Sequence, residues 1–429
     1  MPRAARHRNV YPVGSPDLRA PPMSRPPHIV FAGGVTPSHL HPGLAVAAHL
    51  AERNPESQIT FVGGTRLFER HIVRAAGFGY ANVPSQPPPQ RPVHAVRFLV
   101  ENVAGYWAAR WFLKEQGASL VVGLGGPASA PAVRAAISCG VPSVMLEQNV
   151  VPGRVTRWLA RSAAAVCVGF QESTAHFPSA VPVNVTGNPA RPEFERMYLE
   201  RHERVAGAEP PATPQSMMPQ GVLLGPLHQL GPSHSATTTA RSKRLIIIGG
   251  AGGARSLNES MPSALARLRM RLDGWQIVHQ TGDGQLQDTE RRYRDLGLSA
   301  LVVAYIDEMA SIMFDADLVV CRSSGTTLAE LALAGVPALL VPYPPAIDYQ
   351  MPNAEVFAAA GAARLLDETS LQGPLTDVLV DKLDPLLGDG ARREKMAASM
   401  RRLAAPQAAT NVADAIARIL SGATIPIAA

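Results

Sequence analysis

Cysteine is scarce: Cys139, Cys167 and Cys321 are the three in a chain of 429 residues. They stand far apart inside apolar runs, no two of them at metal-ligand spacing, and an odd number leaves no complete set of disulfides. That argues against a disulfide-stapled secreted fold or a cysteine-ligated zinc module, and a reducing compartment is the simpler setting. Aromatic residues make up only 5% and charged residues 17%. No apolar run reaches the ~18 residues that a membrane-spanning helix needs. Residues 1–27 are basic and proline-rich but carry no apolar core segment, so a disordered tail is expected there and a secretory signal is not. The excess of Lys+Arg (40) over Asp+Glu (34) is small, for a formal net charge of +6. Such a charge suits an anionic substrate or an anionic membrane surface, and nucleic acid is not expected as a partner.

Against those shortages, 46% of the residues are hydrophobic and glycine (36) and proline (39) are abundant, a composition of short elements joined by many turns. The length exceeds what one hydrophobic core usually supports, so two domains are expected. Short buried-strand patterns recur: HIVFA, QITFVGG, SLVVGLGG, PSVMLEQN, AVCVGF and VNVTG, then RLIII, WQIVHQTG, ALVVAYID, DLVVCRSS and PALLVPY, with helical stretches between them. Strands alternating with helices predict parallel, doubly wound sheets that bind ligands at the strand C-terminal ends. The expected organisation is an α/β protein with a first Rossmann-like domain over 28–205, a flexible linker or insertion over 206–242, a second over 243–404, and a terminal helix and tail over 405–429 that closes the second domain or crosses back to the first. The segment RPVHAVRFLVENVAGYWAARWFLKEQ reads as a helix with Trp107 and Trp111 interleaved with Arg97, Arg110 and Lys114. It is either an ordinary amphipathic helix or one that lies in a membrane surface.

Three polar turns stand at predicted strand ends. The first, AGGVTPSHLHPG, holds His39 and His41 on a loop; a histidine there is either a general base or a simple cap. The second, GGAGGAR at Gly249 to Arg255, lets backbone approach a diphosphate ahead of a helix N-terminus. It does not fit the dinucleotide fingerprint, and tight turns need glycine in any case. The third, SSGTT, opens a helix bearing Glu330, which either stabilises the helix dipole or accepts ribose hydroxyls. Glu147, Gln148 and Asn149 end one strand, and Asp348, Gln350 and Asn353 follow another.

Taken together, AGGVTPSHLHPGLAVA, GLGGPASAP, EQNVVPGRVTRWLA, TGNPARPE, GGAGGARSLN, HQTG, DLVVCRSSGTTLAELALAGVPALLVPY and DYQMPNA resemble, in order and across both domains, the MurG family. The family adds N-acetylglucosamine to the lipid-linked muramyl-pentapeptide of peptidoglycan. The resemblance implies a two-domain glycosyltransferase of the B type (GT-B), with two Rossmann-like domains facing across a cleft. It implies UDP-N-acetylglucosamine held mainly by the second domain, the lipid acceptor by the first, and inverting transfer to the 4-hydroxyl of the muramyl sugar. On the same ground His39 is the implied catalytic base, and Thr36 and Ser38 flank it in the acceptor loop. Gly250, Ala251, Gly252 and Gly253 with Ser324, Gly325, Thr326 and Thr327 embrace the diphosphate. Glu330 takes the ribose, Ile306 lines the uracil pocket, and Asn149, Arg191 and Gln350 lie near the sugar. The implied setting is the cytoplasmic face of the cell membrane, peripherally bound, with other proteins of cell-wall synthesis as partners and with neither cofactor nor metal.

The chain departs from the family at Val35, Pro37 and Ser38, where small residues are usual; bulk and a fixed φ there restrict backbone approach to an acceptor diphosphate. Three alternatives stay open: a UDP-N-acetylglucosamine 2-epimerase, a transferase acting on another glycolipid, and a catalytically impaired relative that binds nucleotide sugar.

Overall fold

A computed structural model describes residues 26–34, 37–87, 89, 91–205, 242–250, 252–344 and 349–422. The expectations for nearly all of 1–27 and 206–242, for the end of 405–429, and for Val35, Thr36, Ala251 and Asp348 fall outside the described residues, as do the side chains of Pro37 and Ser38.

Two parallel sheets organise the molecule. The first comprises β1 (His28–Ala32), β2 (Gln58–Gly63), β3 (Gly79–Asn82), β4 (Leu120–Gly123), β5 (Ser143–Glu147), β6 (Ala165–Val168) and β7 (Val183–Val185), in the spatial order β3-β2-β1-β4-β5-β6-β7. The second comprises β8 (Lys243–Ile248), β9 (Trp275–Gln280), β10 (Leu301–Val303), β11 (Leu318–Cys321), β12 (Ala338–Leu340) and β13 (Ala363–Leu365), in the order β10-β9-β8-β11-β12-β13. Each order reverses beside its first strand, between β1 and β4 and between β8 and β11. Those reversals are the crevices where an open α/β sheet receives ligands.

The continuous apolar strands follow from burial on both faces. Ile29 and Phe31 point into one core with Leu40, Leu44, Val412 and Ile416. Val30 and Ala32 point into another with Ala109, Leu113, Ala132 and Val133. In the second lobe Ile246 and Ile248 pack with Val319 and Leu328, and Leu245 and Ile247 with Leu257 and Leu265. Phe170 and Phe194 extend the Ile246 core toward the first lobe.

Among the described residues, the chain passes between the lobes twice. It leaves the first after β7, where helix Pro192–Val205 packs on the second lobe. It returns through helix Ala408–Leu420, which lies against helix Pro37–Arg53 in the first-lobe core. The two crossings touch. Gly187, in the left-handed region at φ 80°, leaves so little room that a Cβ there would meet Ala405 Cβ at 2.6 Å and Ala408 Cβ at 3.2 Å. Asn411 Nδ2 donates to the Thr186 carbonyl at 3.1 Å.

One local reading is corrected. His39 and His41 sit on a helix, since Pro37–Arg53 is helical from its first proline. Proline at the first helical position has a suitable φ and gives up an N–H that would have no partner anyway.

Candidate active site

Two adjoining clefts open between the lobes and share Ser324, Thr326 and Gln350. Local structure explains the shared wall. β11 ends at Cys321, and Ser324 caps helix Gly325–Ala334, its Oγ accepting the Thr327 N–H at 3.3 Å. The first-turn amides of this helix therefore face the cleft with the positive end of its dipole.

The first cleft, about 300 Å³, is bounded on the second lobe by Gly249, Gly250, Gly252, Thr327 and Glu330, and on the first lobe by His41 and Arg191. Arg191 grips Glu330 across the lobes, with Nε to Oε1 at 2.6 Å and Nη2 to Oε2 at 3.0 Å. Burial pushes the Glu330 carboxyl above its ordinary range, and Arg191 pulls it back. A guanidinium keeps its proton, and two parallel short bonds require a carboxylate opposite it, so the pair is ionic.

The second cleft, about 480 Å³, is bounded by His39, Gly125, Gly126, Glu147, Gln148, Asn149, Gly325 and Tyr349. Burial lowers the His39 pKa below its usual 6.5, which leaves a neutral imidazole able to accept a proton at pH 7. Glu147 accepts from the Asn149 N–H (3.1 Å), Asn149 Nδ2 (3.0 Å) and the Gly153 N–H (3.0 Å). Burial raises its pKa against those bonds. Asn149 Oδ1 accepts from Asn353 Nδ2 at 2.9 Å, and Asn353 Oδ1 accepts the Val150 N–H at 2.8 Å. Backbone meets backbone beside this junction: a Cβ at Gly325 would lie 2.0 Å from the Gln148 carbonyl oxygen.

Of the residues expected at the site, Arg191, Gly250, Gly252, Ser324, Thr326, Thr327, Glu330 and Gln350 meet in the first cleft, and His39, Asn149 and Gly325 in the second. Gly253 stands behind the first cleft. At φ 74° its missing Cβ would lie 2.2 Å from the Thr281 carbonyl oxygen, so it lets the loop pack on that strand end. Ile306 has its side chain fully buried in the core and its N–H bonded to Gln280 Oε1 at 3.1 Å. Its neighbour Tyr305 reaches the cleft instead. Gln350 Oε1 accepts from the Ser323 and Tyr343 N–H groups at 3.1 and 3.2 Å.

Sequence reasoning passed over Gln280 and Arg322. Gln280 ties the glycine loop to the Ile306 segment, its Nε2 donating to the Gly250 carbonyl at 3.3 Å. Arg322 bonds the Val341 and Pro342 carbonyls, Glu368 and Ser256, bracing the floor of the first cleft. A charged residue immediately after the apolar run LVVC is the signal that marks it, because a buried charge needs partners. Among the described residues, no three His, Cys, Asp or Glu side chains gather as a metal site.

Comparison with known proteins bears on this geometry. The model of the glycosyltransferase family 28 N-terminal domain matches residues 29–168 and that of its C-terminal domain residues 244–418. A UDP-N-acetylglucosamine–N-acetylmuramyl-(pentapeptide) pyrophosphoryl-undecaprenol N-acetylglucosamine transferase of Geobacter sulfurreducens is 32% identical over 392 residues, covering 90% of this chain and 97% of that one. Its counterpart from Nitratidesulfovibrio vulgaris is 34% identical over 403 residues, covering 92% and 97%. The crystal structure of Acinetobacter baumannii MurG superposes with a TM-score of 0.65 at 26% identity, over 92% of this chain and all of that one. A UDP-GlcNAc 2-epimerase from Neisseria meningitidis superposes at 0.60 with 14% identity, covering 91% and 100%, a likeness of fold alone. The two-lobed architecture is that of the B-type glycosyltransferases.

Proposed function

Because this chain belongs to the MurG family, we infer that it moves N-acetylglucosamine from UDP to the lipid-linked muramyl-pentapeptide of peptidoglycan, converting lipid I to lipid II. The observation that carries the reading is the contiguity of the clefts: one is suited to a nucleotide diphosphate, the other holds a neutral histidine, and the two meet at Ser324, Thr326 and Gln350. In the proposed reaction the acceptor 4-hydroxyl attacks the anomeric carbon from the face opposite UDP. The new C–O bond forms as the old one breaks, the bonding pair leaves with the diphosphate, and His39 takes the hydroxyl proton. Backbone amides of Gly250 and Gly252 and of Gly325 and Thr326 at the helix start offset the leaving charge, aided by the helix dipoles. Glu330 accepts the ribose hydroxyls, so nucleotide and Arg191 compete for one carboxylate. Tyr305 with the Ile306 backbone closes the uracil end, Gln350 and Arg191 border the sugar, and Asn149 braces the acceptor side.

The test is incubation with UDP-N-acetylglucosamine and lipid-linked muramyl-pentapeptide. One disaccharide-lipid should form per UDP released, with no release when the lipid is omitted. Conversion of the nucleotide sugar to its 2-epimer without acceptor would replace this reading by the epimerase. Intact UDP binding with no product would replace it by the non-catalytic relative.

The membrane side of the reading rests on helix Ala95–Glu115. It packs inward through Gly105, Ala109 and Leu113. Its opposite face exposes Val96, Val100, Val103, Trp107 and Trp111, the two tryptophans at 61% and 66%. Lys114 and the exposed Arg97 accompany that stripe. Tryptophan and basic residues around an apolar stripe match the headgroup layer of an anionic bilayer, and among the described residues no helix is long and apolar enough to cross one. Trp107→Glu with Trp111→Glu should lower co-sedimentation with anionic vesicles by about tenfold or more, while UDP binding is unchanged. Undiminished vesicle binding would rule this face out.

A further inference from the structure

The two histidines at the start of helix Pro37–Arg53 open on different clefts, His39 on the second and His41 on the first. We propose that His41 binds the diphosphate of the nucleotide-sugar donor, a contact supplied from the first lobe. The proposal rests on the donor reading of the first cleft. Across that cleft from His41 lie the glycine loop at Gly249, Gly250 and Gly252 and the helix capped by Ser324. Apart from the N–H groups of Gly249 and Thr327, which the Gln280 carbonyl and Ser324 Oγ accept, the backbone amides of that wall make it a seat for an anion. On the first-lobe wall Arg191 already has Nε and Nη2 bonded to Glu330. The His41 imidazole has no hydrogen bond to another described residue.

Its chemistry suits the task. Burial first, then the Arg191 charge, brings the His41 pKa down to about 4, so the imidazole is neutral at pH 7 and carries one N–H to give. A neutral donor rests beside a guanidinium without repulsion, and its bond to a diphosphate oxygen gains from the charge on the acceptor. Because His39 lies two residues earlier on the same helix, a donor held by His41 also fixes the turn that presents the proposed base.

Binding of UDP and of uridine to the wild type, His41→Phe and His41→Gln tests this without any acceptor. The phenylalanine ring keeps the volume and removes the N–H; the glutamine amide restores a donor. UDP should bind His41→Phe about tenfold more weakly than the wild type, uridine should bind both alike, and His41→Gln should recover most of the loss. If the phenylalanine variant does not fold, His41→Ala gives the same comparison between the two ligands. UDP affinity unchanged in His41→Phe overturns the proposal, as does an equal loss for UDP and uridine, which marks a purely structural role. A wild type that fails to bind UDP at all overturns the donor reading itself, a result distinct from either.

Discussion

His39→Ala lowers the rate of sugar transfer by about 10²–10⁴-fold, the span a positioned general base supplies, while UDP affinity stays as it was. The separation follows from geometry. His39 lines the second cleft and the proposed ribose and uracil contacts line the first, so removing the imidazole takes a proton acceptor from the hydroxyl side and none of the proposed nucleotide contacts. Single-turnover rates beside a UDP titration check both halves, and transfer at the wild-type rate would remove His39 from the reaction. The pH profile adds a signed test. A base whose pKa burial holds below 6.5 is already unprotonated at pH 7. Activity should therefore stay level from pH 7 to 8 and decline only as the pH falls through that lowered value. A rise between pH 7 and 8 would assign the proton to another group.

Glu330→Ala should be damaging twice over. Arg191 and Glu330 are both largely buried, at 12% and 6% side-chain exposure. Truncating the carboxylate leaves the buried guanidinium facing only the more exposed Glu193 carboxylate at 3.7 Å, a loss of up to about 3–5 kcal/mol by comparison with other buried pairs. The same truncation removes the proposed ribose acceptor, so UDP affinity falls as well. Urea unfolding reads the first effect and nucleotide titration the second. Adding Arg191→Met to Glu330→Ala should recover much of the stability, since no buried guanidinium remains beside the lost carboxylate, and none of the nucleotide affinity. Recovery of both would mean that Glu330 serves the fold alone.

The sequence made the strands of both sheet interiors visible because burial on two faces leaves unbroken apolar runs such as LVVG and LIII. The edge strands β3 and β13, GYAN and ARL, escaped the same reasoning: each is partly exposed and carries no run of branched apolar residues. Glycine turns and the Ser324 cap were legible because a turn demands particular residues within a few positions. Partnerships over long separations were not. Arg191 and Glu330 are 139 residues apart and Asn149 and Asn353 are 204 apart, and nothing local distinguishes such residues from solvated ones. The two histidines read as members of one loop for the same reason: two steps along a helix turn side chains to different sides, a separation that only the backbone reveals.

The contact of Gly187 with Ala405 and Ala408 has a mechanical consequence. Two covalent tethers that pass through one point cannot act as separated hinges, so any rotation of the lobes would turn about that point like the jaws of a clamp. Displacement then grows with distance from Gly187, and the bonds from Asn353 to Asn149 and Val150, with the close seat of Gly325 on Gln148, act as the catch that opening must release. A side chain at position 187 would wedge the pivot itself, changing how far the jaws travel without touching either substrate.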